Sequence, residues 1–335
     1  MSEQLVEAPR LARWTETIRR RTEATSKFLR EMLRSPQALI GTLIVLFFFL
    51  LALFGPQLAP YTENDQSSAP RLAPTTSPGQ VARTLWRNPV DAFDPDTYAL
   101  GDYPFGTDTL GRDVFSRVIL GARSIFVVAG VGTLIAVAVG TFVGLFIGYQ
   151  GGLVDEIAGR LIDAMLAMPA LLIALVTLGI LREMNFERGS LQARLADNSV
   201  LLVIALVYVP IVARVVRSST LDIKTRTFVQ AAQIRGESRL YIIFREIFPS
   251  VIPTLVVEAS LRFSYAIFLV ASLGFLGVGV PPPTPDWGRM VSENRGGYYA
   301  LTPWALEYPA AAIALLVVGV NLMSDGIKRA VQKSG

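Results

Sequence analysis

The sequence predicts an all-α polytopic membrane protein with six transmembrane helices and both termini in the cytoplasm. Three observations carry this. Hydrophobic residues make up 52% of the 335 and charged residues only 17%, a balance unlike that of a soluble globule. Several apolar runs are long enough to cross a bilayer core, which takes roughly 20 helical residues. Most basic residues fall in the N-terminal tail, in segment 214–245 and at Lys328, Arg329 and Lys333, whereas loop 60–113 is net acidic. An even number of spans and the positive-inside rule then agree.

Taken in order, residues 1–35 form a basic cytoplasmic tail carrying Arg10, Arg13, Arg19, Arg20, Arg21, Lys27, Arg30 and Arg34. Trp14, Ile18, Thr25, Phe28, Leu29 and Met32 could make one apolar face of an interfacial helix, and a partly disordered tail fits as well. Run 37–58, within a first segment 36–59, is too long for a secretory core and lacks a small-residue cleavage site, so it reads as an uncleaved first span. The external loop, 60–122, is rich in Pro, Asp, Thr and Ser up to about residue 104 and ends in the turn-rich string Gly106, Thr107, Asp108, Thr109, Leu110, Gly111, Arg112, Asp113, Val114, Phe115, Ser116, Arg117. By chemistry alone its Asp and Arg side chains suit a structural tie at the membrane rim.

A five-helix core, 123–330, follows, with spans expected at 123–149, 157–181, 200–216, 255–280 and 304–323, and residues 331–335 form a cytoplasmic end. Gly140, Gly144 and Gly148 recur every fourth residue, which places small residues on one helical face for close packing. Segment 222–250 is polar and basic between two apolar runs and so must lie at a membrane surface. Ala231 and Ala232 give a small-faced helical turn, Gly236 can take a positive φ, and Leu240, Ile243, Phe244, Ile247 and Phe248 recur at helical spacing before Pro249 and Pro253. The expectation is two short helices hinged at Gly236, the first exposed and the second lying against the bilayer. Pattern alone suits an ordinary amphipathic loop equally well.

The arrangement Gln230-Ala231-Ala232, Gly236, Ile247-Phe248-Pro249 and Pro253 resembles the cytoplasmic EAA loop with which permeases of ABC importers dock onto their ATPase. Gln230 stands where that family usually has Glu, Glu237 where Ala is common, and Phe248 where Leu is common. Docking by shape tolerates the lost charge better than an ion pair would. The string from Gly106 to Arg117 resembles the signature of one permease subunit of the dipeptide/oligopeptide/nickel importer family. The likeness continues through Gly159 to Asp163 with Met168-Pro169, through 271–279 with Pro282 to Gly288, and through 321–326, so that it covers roughly 35–330. It implies the type I ABC importer permease fold in a bacterial inner membrane. The implied partners are a second permease subunit in a heterodimer, two ATP-binding subunits and an extracytoplasmic solute-binding protein. The implied cargo is most often di- or oligopeptides, with nickel chelates, opines and oligosaccharides carried by close relatives.

Exclusions fit this reading. Cys and His are absent, which removes disulfides, thiolate nucleophiles, imidazole bases and Cys/His metal cages, and no metal or cofactor is expected. Basic residues flank apolar runs, so their role is topological and not nucleic-acid binding. A phosphate-cradling loop needs Gly before Lys and Ser or Thr, but Ile223 precedes Lys224-Thr225 and Gln332 precedes Lys333-Ser334. The chain is therefore expected to be no enzyme, with ATP hydrolysed by partners.

An ion-gradient-driven secondary transporter, using Asp163, Glu258 or Glu307, is the rival class, and a non-transporting membrane subunit is a third. Asp163 lies near Arg160 by a helix start and Glu307 at a helix end, which suits interfacial positions. Glu258 and Arg262, four residues apart in the fifth span, are expected to pair inside the membrane. Arg262 lies roughly 13 Å beyond Pro253 at 1.5 Å per residue, so facing lipid would be costly. Substrate contact on the translocation path and structural burial against another helix both remain open for this pair.

Overall fold

Long apolar stretches with few interior breakers become helices here, and capping residues and prolines decide where they begin and bend. The computed structural model describes residues 35–63, 65–66, 103–184, 190, 192, 196 and 198–334. The basic tail and most of the first external loop, including Asp91, lie outside the described residues, as does Arg194. Helix α1 (Pro36–Leu58) starts with Pro in its first turn, where the missing N–H removes no hydrogen bond. It exposes Leu43, Phe47, Leu50 and Leu53, an outward apolar face suited to lipid.

Helix α2 (Val114–Gln150) is 37 residues long, about 55 Å at 1.5 Å per residue. It opens before the apolar run at 123 because Asp113 caps it, accepting a 2.7 Å hydrogen bond from the Ser116 N–H. The string expected to lie in the loop is thus partly the first turn of this helix.

The expected third span, 157–181, is broken. Helices α3 (Gly152–Leu166) and α4 (Ala170–Glu183) meet at 87°. Pro169 lacks an N–H to continue the first helix and pushes Met168 out of helical geometry. Helices α5 (Ser199–Ile223) and α6 (Thr227–Ile234) follow.

A second correction concerns 239–253. The chain does not fold there as a separate surface helix ended by Pro249 and Pro253. It forms the first turns of one helix, α7 (Arg239–Phe275). A π-helical turn at Ile242–Ile247 makes this possible: the Phe248 N–H bonds to the Ile243 carbonyl five residues back, and Pro249 then enters at the first turn of the resumed α-helix. Helix α8 (Trp287–Glu293) and the closing α9 (Pro303–Ser334) complete the described chain. Among the described residues, five helices are long and apolar enough to span a membrane, and the bent α3–α4 pair makes six when counted as one span.

Among the described residues, helices α2 and α5 make the most extensive contact. A Cβ at Gly140 would lie 2.7 Å from the Val212 Cβ, at Gly144 2.6 Å from the Ala213 carbonyl oxygen, and at Gly148 2.8 Å from the Thr220 Cβ. The glycine stripe is therefore a contact surface between backbones. Helix α1 lies between α2 and α9, where a Cβ at Gly41 would stand 2.7 Å from the Gly319 carbonyl oxygen. The largest apolar core joins these helices with α4, α5, α7 and Trp287, whose indole N–H donates to the Val118 carbonyl at 2.9 Å. A second core ties α6 to the far end of α2, to α5 and to the start of α7.

Candidate functional site

Three clusters carry the sequence-predicted residues, and α2 separates the first from the last by its whole length.

At the α2 start, Gly106 and Gly111 adopt φ of 72° and 76°, which fold the string back on itself. Asp108 is buried and collects four donors: the Leu110 and Arg112 backbone N–H groups at 2.9 and 3.0 Å, and the Arg112 and Arg117 guanidinium groups, each at 2.7 Å. Arg112 also donates to Glu293 at 2.8 Å, and Arg289 approaches the same carboxylate at 3.4 Å. Trp304 at the head of α9 donates to the Thr107 carbonyl at 2.9 Å. The string thus ties α2, α8 and α9 together, the structural role its chemistry predicts. The sequence did not reveal Glu293, which lies 181 positions from Arg112 and carries no local signal. Burial pushes the Asp113 carboxyl up to about 6, opposed by hydrogen bonds from Ser116 and raised slightly further by the Asp108 charge.

Within α7, Glu258 and Arg262 do pair: Nε lies 2.8 Å from Oε1, and both side chains are largely buried. The N–H is not aligned on the oxygen, so this is a charge contact that leaves hydrogen-bonding capacity unused. The guanidinium lies 5.0 Å from the Tyr265 ring centre and 5.9 Å from that of Tyr208 on α5, within cation–π range. Asp163 and Glu307 stand apart from this pair. Asp163 is exposed 3.6 Å from Arg214, while Arg160 pairs with Glu156, and Glu307 accepts from the Tyr299 hydroxyl at 2.9 Å.

At the other end, α6 is a two-turn helix ended by a Schellman motif: the Gly236 N–H bonds to the Gln233 carbonyl at 2.9 Å and the Glu237 N–H to the Ala232 carbonyl at 3.2 Å. Gly236 has φ of 75° and nothing within 4 Å of a would-be Cβ, so backbone conformation alone demands glycine there. The two alanines, expected to act together, lie on different faces of the helix. Ala232 and Val229 are buried in the second core, whereas Ala231 is exposed beside Ile234, which is 88% exposed, and Phe228. Phe228, Ala231 and Ile234 at successive spacings of three were the legible sign of an outward apolar stripe within a polar segment. Gln230 donates to the Thr225 carbonyl at 3.2 Å.

Comparison with known proteins places these features in a family. Residues 140–334 match the model of the binding-protein-dependent transport system inner membrane component, and residues 25–74 match the N-terminal TM domain of oligopeptide transport permease C. The chain is similar to the dipeptide transport system permease protein of Alkalihalophilus pseudofirmus, with 32% identity across 90% of this chain and 87% of the relative. It is similar also to the glutathione transport system permease proteins of Shigella flexneri (35% identity, 91% and 88% covered) and Escherichia coli (33% identity, 91% and 88% covered). Six potential spans, the glycine-packed core and matches across nine-tenths of the chain converge: the chain belongs to the binding-protein-dependent transport system inner membrane components, as an ABC transporter permease of the bacterial inner membrane.

Proposed function

We propose that this chain is one half of a permease heterodimer in an ATP-driven importer, and that it forms part of the membrane path for di- or oligopeptides delivered by an external solute-binding protein. Two ATP-binding subunits supply the drive from the cytoplasmic side, and the path alternates between outward and inward access. The observation that carries this reading is α6. It presents Phe228, Ala231 and Ile234 outward while its other face is locked by Val229 and Ala232 into a core shared with α2, α5 and α7. A push on such a helix reaches several spans at once. We assign Gln230, Ala231 and Gly236 to ATPase docking, with Ala232 holding the helix from behind.

The basic residues Arg214, Arg217, Lys224, Arg226, Arg235 and Arg239 gather at this end of the molecule, which supports a cytoplasmic position for it and for both termini. The Gly106–Asp113 string then lies outside. The peptide assignment draws on relatives named for dipeptide and glutathione transport. We place Glu258 and Arg262 beside the path, where paired opposite charges suit a cargo with both an ammonium and a carboxylate.

The test is reconstitution of the chain with its cognate subunits in vesicles, followed by uptake of labelled dipeptide. Uptake is expected only with binding protein, ATPase and ATP all present. Peptide movement by the permease pair without any ATPase would overturn the reading in favour of a gradient-driven carrier.

A further inference from the structure

Beside α6 the structure holds an open cavity of about 460 Å³, and of the residues assigned to docking Gln230 alone reaches it. Its walls are Tyr149 and Gln150 at the end of α2, Lys224 after α5, Gln230 and Gln233 on α6, and Arg239 at the start of α7. Helix α6 thus has three working faces: Val229 and Ala232 inward, Ala231 and Ile234 outward, and Gln230 and Gln233 sideways into this cavity.

The lining carries two cations and three side-chain amides and contains no carboxylate. Lys224 spends one N–H on the Gly148 carbonyl at 2.8 Å, leaving two of its three donors free for another acceptor. Arg239 has no acidic partner among the described residues. The acids nearby are engaged elsewhere: Asp155 is held by two bonds from Arg217, at 2.5 and 2.8 Å, and Asp222 pairs with Arg226 at 3.3 Å. Donors on several walls with no lining acid select an anion. The position of the cavity selects which one. Gln150 ends, and Arg239 begins, a 37-residue helix apolar enough to cross the membrane, so the cavity lies between the ends of two spans on the side assigned to the cytoplasm. Basic pockets between membrane helices at the cytoplasmic surface suit anionic headgroups.

We propose that this cavity binds the phosphate of an anionic phospholipid and thereby clamps the side of α6 to the ends of α2 and α7. The consequence for coupling rests on the docking role proposed for α6, whereas the binding itself does not. The test is native mass spectrometry of the purified full chain after equilibration with phosphatidylglycerol or phosphatidylcholine, with inorganic phosphate added in a parallel sample. Phosphatidylglycerol is expected to be retained in preference to phosphatidylcholine. Arg239→Gln should weaken that retention about fivefold, the factor one basic residue contributes at an anionic membrane surface. Gln233→Glu, at an exposed position that carries no packing, should weaken it further by placing a carboxylate in the cavity.

Equal retention of the two lipids, or unchanged phosphatidylglycerol binding in both variants, overturns the proposal. Displacement of the lipid by inorganic phosphate gives the site to the free ion and overturns the lipid assignment. Loss of the lipid when the ATPase subunits associate hands the cavity to an acidic side chain of that partner and overturns it too. Because the readout is lipid retention and not uptake, failure here leaves the permease reading standing.

Discussion

Arg117 sits almost fully buried with Asp108 as its near partner, and Glu293 is 3.7 Å away on its other side. Asp108→Ala should therefore leave the buried Arg117 with only the longer Glu293 contact, at a cost approaching the roughly 3–5 kcal/mol of an unpaired buried charge, read as a lower unfolding temperature of the purified chain. Arg112→Ala, at a side chain with more access to water, should cost less in the same assay. Asp113 offers a pH test. Its folded pKa of about 6 lies above the ordinary 3.8, so the folded chain holds this proton more tightly than the unfolded one. The contribution of Asp113 to stability is thus fullest below pH 3.8 and is lost as pH rises through about 6. Asp113→Asn keeps an oxygen to cap α2 but cannot titrate. The stability of wild type relative to this variant should rise as pH falls from about 7 to about 5, and a constant difference would refute the burial argument. The sequence showed that Asp108, Arg112 and Asp113 had chemistry to share, because they are neighbours in the chain. It hid Glu293 and Arg289, which reach them only through folding.

Helices were legible from their apolar runs, but their ends and bends were not. Hydrophobicity does not register a capping Asp113 or distinguish Pro169, where the chain turns by 87°, from Pro249, where a π turn lets it continue. The bend and the π turn are set by which backbone bonds the neighbours can redirect, and that information is three-dimensional. Glycines show the same limit. Gly130 and Gly144 both lie in α2 and look alike in sequence. A Cβ at Gly144 would meet the Ala213 carbonyl oxygen at 2.6 Å, whereas the nearest atom to a Cβ at Gly130 is the Phe263 ring at 3.8 Å. Gly144→Ala should force α2 from α5 and destabilise the chain by about 1–3 kcal/mol, as overpacking does. Gly130→Ala should be neutral or stabilising by up to about 1 kcal/mol, since Ala favours helix and space is available. Thermal unfolding of both variants in one detergent decides it, and equal effects would remove the claim that the stripe is a backbone contact.

The architecture as a whole joins an ion-paired collar at one end of α2 to the outward stripe of α6 at the other, about 55 Å away along one continuous helix. Its orientation is open to reporter fusions at Asp91, Arg194 and Asn294, all expected outside, and an active cytoplasmic reporter at Asp91 would reverse the assignment. With that orientation the decisive test is mechanical, and the two alanines on different faces make it sharper than the sequence alone allowed. Ala231 is exposed, so Ala231→Trp should leave the chain folded and abundant while its bulk holds the ATPase off α6. Ala232 lies fully inside the second core, so Ala232→Trp should instead overpack that core and lower abundance. Gly236→Val meets no neighbour but must hold a φ of 75° that a β-branched residue resists, which should loosen the exit of α6 without disturbing the spans. In reconstituted complexes, abundance, ATPase association, hydrolysis and peptide uptake are to be followed separately. The expected pattern is normal abundance with impaired uptake for Ala231→Trp and Gly236→Val, and reduced abundance for Ala232→Trp. If Ala231→Trp kept full uptake and normal ATPase association, the outward stripe would not be the docking surface, and α6 would be a structural turn that closes the second core.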